Sequence, residues 1–301
     1  MTGLDFGPLV LGGNTFGWTS SAQESHAVLD AFVDAGGRSI DTADVYSMWV
    51  PGNTGGDSER IIGDWLAARG RRDDVVIATK VYSLPDRPGL SPENVRAAVD
   101  DSLSRLRTDH IDLYYAHRDD QDVPQAEYVG VFDELVQAGK IREAGASNFS
   151  AERLKSAVTI AADAGQTGFT VAQDHFNLVE RDYAEVLAPT VAELGLVELP
   201  YSSLAAGFLT GKYRPGTTVD SARSGGAGSY LQDERNVALL DVLDEVAAAH
   251  GVSVTAVSLA WLRQQATVAA PIASARTVEQ VAALVESFDL VLTDEELARL
   301  T

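Results

Sequence analysis

One pattern constrains this chain more than any other: eight short apolar runs alternate with longer amphipathic stretches. The runs cover residues 8–12, 38–41, 75–80, 111–117, 141–146, 169–173, 196–200 and 268–272. They hold Val, Ile, Leu and Tyr without strict polar alternation, as strands buried on both faces do. The stretches 22–35, 58–69, 92–106, 125–138, 151–162, 183–194 and 278–286 carry the spacing of amphipathic helices. Ser91 before Pro92 and Ser150 before Ala151 read as helix starts, since Ser caps the free amides and Pro fits the first turn. Gly36, Gly70, Gly139, Gly165 and Gly195 read as helix stops, because glycine accepts the left-handed conformation that ends a helix.

Eight such units, with no Pro/Gly-rich linker between them, predict one α/β domain over residues 1–301: a closed (β/α)8 barrel of the TIM type. A doubly wound open sheet would show fewer strands and often a Gly-rich first turn. Two regions break the rhythm. Residues 236–250 and 253–265 read as extra helices before strand eight. Residues 204–235, which contain Ser224, Gly225, Gly226, Ala227 and Gly228, read as a long loop able to close over a ligand.

Composition removes whole classes of function. Lys and Arg number 23 against 44 Asp and Glu, a net charge of −21, which repels a phosphodiester backbone and argues against a nucleic-acid partner. No apolar run reaches the roughly 20 residues that span a bilayer, so no membrane role is expected, and the absence of a basic-then-apolar start points to the cytoplasm. With no cysteine there is no disulfide, thiolate metal site or Cys nucleophile. The five histidines show no ligand spacing, so no metal is expected. There is no Gly-x-Gly-x-x-Gly fingerprint, no His-Glu-x-x-His and no Gly-x-Ser-x-Gly. The run from Gly207 to Tyr213 imitates a phosphate loop, but it is one residue short between its glycines and has Tyr213 where a magnesium-binding hydroxyl belongs.

Barrel enzymes act at the C-terminal ends of their strands. Here those ends carry Asp41 with Tyr46 beyond it, Lys80, His117, Ser147 with Asn148, Gln173, and Tyr201 with Ser202. Taken singly, each has a plain structural role open to it: a rim ion pair for Lys80 and Asp41, a core histidine, a packing tyrosine. Together they suit proton donation to a carbonyl while hydride arrives from elsewhere. A phenol is a weak acid at neutral pH; a neighbouring ammonium is expected to lower its pKa. A carboxylate would keep that ammonium charged, and a neutral imidazole could orient the carbonyl oxygen. No side chain can supply hydride, so a nicotinamide cofactor is required.

With these residues in place, the chain resembles the aldo-keto reductases over nearly its whole length. The resemblance rests on eight stretches in the family's order: residues 11–17 (LGGNTFG), 41–46 (DTADVY), 79–80 (TK), 117–120 (HRDD), 145–149 (GASNF), 200–204 (PYSSL), 209–213 (LTGKY) and 273–280 (ASARTVEQ). It implies a catalytic tetrad of Asp41, Tyr46, Lys80 and His117, with Tyr46 the general acid. It also implies a cofactor groove that includes Gly13, Asn14 and Thr15, with Ser147, Asn148 and Gln173 on the carboxamide and Tyr201 stacked on the nicotinamide. Ser202, Leu204, Gly207, Leu209 and Lys212 would follow the pyrophosphate, and Ser274, Arg276 and Gln280 the adenosine end. Arg276 favours NADPH, because a 2′-phosphate needs a local cation on so acidic a protein. Leu284 stands where many members have Asn. Residues 47–58 are longer than in many members and match a bacterial subgroup; Trp18, Met48, Trp49 and Tyr82 would shape the substrate pocket. The expectation is a monomeric or weakly oligomeric reductase of small carbonyl compounds. The rival readings are a nicotinamide-binding regulatory subunit, like channel-associated members, and a barrel enzyme using Lys80 as a Schiff-base amine.

Overall fold

A computed structural model describes residues 2–220 and 224–301. Eight strands alternate with helices: β1 (Val10–Gly12), β2 (Ser39–Asp41), β3 (Val76–Val81), β4 (Ile111–Ala116), β5 (Ile141–Ser147), β6 (Phe169–Gln173), β7 (Val197–Glu198) and β8 (Ile272–Ala273). All neighbours pair in parallel, in the order β7-β6-β5-β4-β3-β2-β1-β8. The seam between β7 and the chain leading into β8 is closed by Glu198 N–H on Thr267 O (2.8 Å), Ala269 N–H on Glu198 O (2.9 Å) and Ile272 N–H on Pro200 O (2.9 Å). The result is the predicted (β/α)8 barrel.

The helices are α1 (Ala22–Asp34), α2 (Asp57–Arg69), α3 (Pro92–Leu106), α4 (Gln125–Gln137), α5 (Ala151–Asp163), α6 (Asp182–Val186), α7 (Ala188–Glu193), α8 (Ser224–Ser229), α9 (Glu234–His250), α10 (Val254–Arg263), α11 (Val278–Val285) and α12 (Asp294–Leu300). Ser91 and Ser150 cap as expected, accepting from Asn94 N–H and Arg153 N–H. Four differences from the sequence reading have local causes. The helix expected at 183–194 is split at Leu187, where Pro189 cannot donate to the ladder. The eighth strand reduces to Ile272–Ala273, with Val268 left as an isolated bridge to Glu198, because Pro271 interrupts the pairing. Helix α12 was not expected, although Thr293 and Glu296 form a capping box that marks its start. Residues 204–235 are not one open loop: they form tight turns over Ala205–Thr210 that are kinked at Ala206 and Gly207, then α8 and a 3-10 turn (Tyr230–Gln232), while 221–223 lie outside the described residues.

Strand alternation sorts the side chains into two shells. Val10, Ala78, Leu113, Tyr115, Val171 and Ile272 fill the barrel's interior above Phe6. Their sequence neighbours Leu11, Ile77, Tyr114 and Ala172 face the helices. The same period of two carries Asp41, Lys80 and Gln173 inward at the strand ends and turns Thr79 outward, onto Glu59 of α2 (2.7 Å). Interior space is tight enough to dictate one glycine: a Cβ on Gly145 would lie 2.5 Å from the Tyr115 ring.

Candidate active site

The inward residues meet at the C-terminal mouth. Lys80, fully buried, donates to Asp41 Oδ2 at 2.6 Å, to the Thr42 carbonyl at 2.7 Å and to the Tyr46 hydroxyl at 3.1 Å. Tyr46 Oη lies 3.4 Å from Asp41 Oδ2, and Gln173 donates to the other carboxylate oxygen at 3.0 Å. The imidazole of His117 faces the Tyr46 ring, centroids 6.3 Å apart, and its buried Nδ1 has no hydrogen-bond partner. Asp41, Tyr46, Lys80 and His117, which the sequence reading drew from three strand ends, thus lie side by side in the fold.

The electrostatics differ from expectation at one of them. Burial pushes the Tyr46 phenol up to about 12; Lys80 pulls it down, but Asp41, on the same hydroxyl, pushes it back up. The expected lowering is not the net result, because desolvation outweighs a cation whose charge Asp41 already neutralises. Tyr46 is thus a fully protonated donor at neutral pH. Burial alone would lower the Lys80 ammonium, yet Asp41 and Tyr46 outweigh it and hold Lys80 above its ordinary value. A Schiff-base amine needs the opposite shift. His117 is brought down to about 3 by burial, then by Lys80 and Arg118, so its ring is neutral and can donate a hydrogen bond.

Above this cluster opens a cleft of about 880 Å³ lined by Tyr46 and His117. Its walls include most of the residues the resemblance assigned to a cofactor: Asn14, Thr15, Ser147, Asn148, Gln173 and Tyr201, then Ser202, Leu204, Gly207 and Lys212, and finally Ser274, Arg276 and Gln280. Local bonds shape that wall. Tyr201 donates to Asn148 Oδ1 (2.8 Å) and its ring is backed by His175, stacked at 5.4 Å. Ser274 donates to Asn14 (2.7 Å), and the Gln280 side chain accepts the Arg276 N–H (2.9 Å). Gly13 and Leu209 stand behind the lining: Gly13 carries the Ser58 hydroxyl on its carbonyl, and Leu209 is fully buried. Of the seven non-glycine residues with positive φ among the described residues, only Arg107 lies away from this mouth; Ser47, Tyr82, Asn148, Ser202, Ala205 and Ala206 surround it. Strain of this kind collects where a fold holds a binding geometry.

Toward solvent, Trp49 lines the cleft at 51% exposure and meets Trp18 edge-on at 5.6 Å. Tyr82 borders a neighbouring hollow of about 470 Å³ rather than the cleft itself, and Met48 is half-buried outside both walls. The sequence reading passed over Arg118, which lines both cavities.

Three cations distinguish this cleft from the rest of the molecule. Among the described residues, every Lys and Arg except Arg118, Lys212 and Arg276 has an ion pair or a hydrogen-bonded carbonyl for its charged group. All three exceptions line the cleft. On a chain of net charge −21, cations left without carboxylates in one groove make an anion-binding surface.

Comparison with known proteins agrees with this geometry. The family model described as "Aldo/keto reductase family" matches residues 8–301. An uncharacterized oxidoreductase of Bacillus subtilis, YrpG, is 32% identical, over 99% of this chain and 92% of its own length. Protein tas of Escherichia coli is 32% identical over 99% of this chain and 94% of its own. The aryl-alcohol dehydrogenase [NADP(+)] of Phanerodontia chrysosporium is 31% identical over 98% and 82%. Matched along almost its entire length, with a buried ion pair and phenol at the mouth of the family's barrel, the chain belongs to the aldo/keto reductase family.

Proposed function

We propose that this oxidoreductase reduces aldehyde or ketone carbonyls to alcohols, reversibly, with NADPH. The observation that carries the reading is the hydrogen-bonded chain Asp41–Lys80–Tyr46 beside a neutral imidazole, at the floor of a cleft of about 880 Å³. Bound there, the nicotinamide supplies hydride. His117 donates a hydrogen bond that orients the carbonyl oxygen and stabilises the negative charge it gains. That oxygen, as it becomes alkoxide, is a far stronger base than a phenolate and takes the Tyr46 proton. Lys80 then faces the phenolate, which explains why a buried ammonium with a raised pKa is useful. Ser147, Asn148 and Gln173 would hold the carboxamide, Tyr201 the ring, residues 204–212 the pyrophosphate, and Ser274, Arg276 and Gln280 the adenosine end.

The unpaired Lys212 and Arg276 support a cofactor with phosphates at both places, and Arg276 supports NADPH over NADH. Loss of NADPH absorbance with an aromatic aldehyde, beside the same trace with NADH, tests the reaction. Arg276→Ala is expected to weaken NADPH binding by about 10–100-fold and NADH binding by about twofold or less. Equal losses for the two cofactors would remove the 2′-phosphate assignment. Cofactor binding without turnover of any carbonyl would favour the regulatory-subunit reading.

A further inference from the structure

Lys212 and Arg276 have cofactor phosphates to meet; Arg118 has none. It directly follows His117 at the end of β4, lines the cleft with Tyr46 and Trp49, and also borders the hollow beside Tyr82. Its charge reaches both His117 and Tyr201. Aspartates adjoin it in sequence, yet their oxygens are engaged. Asp119 is held by Arg153 at 2.7 and 2.8 Å and by the Tyr128 hydroxyl at 2.9 Å. Asp120 accepts the Leu90 N–H at 2.7 Å and the Asp122 N–H at 3.0 Å. The fold therefore uses up the carboxylates next to Arg118 and leaves its guanidinium at the entrance to the reacting centre.

Resting on the carbonyl-reductase reading, we propose that Arg118 is a specificity-determining residue that binds a carboxylate on the substrate, so that the preferred substrates are carbonyl compounds bearing one acidic group. A carboxylate matches the planar fork of a guanidinium with two parallel hydrogen bonds. A single negative charge fits better than two, because Asp119, Asp120 and Asp122 border the same hollow and repel any charge that one guanidinium does not neutralise. The exposed Trp49 offers such a molecule an aromatic wall.

The test compares 4-carboxybenzaldehyde with its methyl ester, which presents the same ring and aldehyde without the charge. In the wild type, kcat/KM is expected to favour the acid by about tenfold or more. In Arg118→Met the acid-to-ester ratio should fall by about 10–100-fold, chiefly through KM for the acid, and Arg118→Lys should recover part of it. Arg118 bonds to no other described residue, so folding is not at stake, and the ratio cancels general damage. Equal use of acid and ester by the wild type, or a ratio unmoved in Arg118→Met, overturns the proposal. A preference for 4-formylphenyl phosphate over the carboxylate overturns the single-charge assignment. If the wild type reduces neither aldehyde with either cofactor, the reductase reading falls, and binding of the monoanion 4-(hydroxymethyl)benzoate followed by tryptophan fluorescence decides the anion site. Saturable binding lost in Arg118→Met upholds it, and binding absent or unchanged rejects it.

Discussion

The barrel carries two buried ion pairs of the same length at its opposite ends. Lys80 meets Asp41 at 2.6 Å at the C-terminal mouth, and Arg72 meets Asp112 at 2.6 Å near the start of β4. Both carboxylates are almost wholly out of solvent. What surrounds them differs. Asp112 also accepts the Ile77 N–H at 2.8 Å and has Arg142 within 2.8 Å, so strand and loop groups surround it. Asp41 and Lys80 share their remaining bonds with Gln173 and with a phenol that opens on the cleft. The cations differ as well: arginine stays protonated under all ordinary conditions, whereas lysine has a proton it can share with a neighbouring oxygen. The lesson is that a buried ion pair is not by itself a sign of chemistry. It becomes reactive when a titratable group with access to a ligand completes it.

This contrast makes opposite predictions for two substitutions. Tyr46→Phe removes the proton donor and leaves the ion pair intact. It should lower kcat by roughly 10²–10⁴-fold, the scale of general acid catalysis, while thermal stability and cofactor affinity stay close to wild type. A kcat within a few-fold of wild type would show that another group protonates the substrate. Asp112→Asn should do the reverse. Breaking a buried pair costs roughly 3–5 kcal/mol because a charge is left without its partner. Urea unfolding should show that loss, and kcat measured well below the transition should be unchanged. If Asp112→Asn instead lowers kcat in a fully folded protein, the separation between the two ends fails.

Individual residues show how far the sequence could be read. The strand ends were legible because a barrel turns the polar residues at the C-terminal ends of its strands toward one mouth, and because Lys80 is one of only four lysines in the chain. Asp41, Tyr46 and His117 followed from their places on the same mouth. The pKa of Tyr46 was not legible, since it depends on how deeply burial acts and on Asp41 reaching the same hydroxyl. Nor were the unpaired cations, because pairing joins residues far apart: Arg105 finds Glu59 and Arg214 finds Asp244, while Arg118 finds no partner beside three aspartates. The short helices within 204–235 were hidden by a glycine-rich sequence that has little helical preference of its own and forms there through tertiary contacts, as the buried Ala227 indicates. Helix α12 was signalled by its capping box and passed over.

The smallest expected effect concerns a carboxyl that belongs to neither pair. Asp44 lies three residues after Asp41, buried, with Oδ1 lacking any hydrogen-bond partner. Burial, reinforced by Glu59 and opposed by Arg105, pushes it up to about 7. Its folded-state pKa is thus above the ordinary 3.8, and between those values the folded chain holds a proton that the unfolded chain has released. Stability from this group is present in full below the unfolded value and is lost as pH rises toward about 7. Asp44→Asn, neutral at every pH, should remove that slope. Relative to wild type, the variant should gain on the order of 1–2 kcal/mol of unfolding free energy between pH 5.5 and pH 8, read from urea midpoints at both. Because Asp44 does not line the cleft and is not among the charges that act on the Tyr46 hydroxyl, its effect should appear in stability alone. A parallel change in kcat would mean that charge on this carboxyl reaches Tyr46, and the reactive cluster would then extend one residue deeper into the barrel wall.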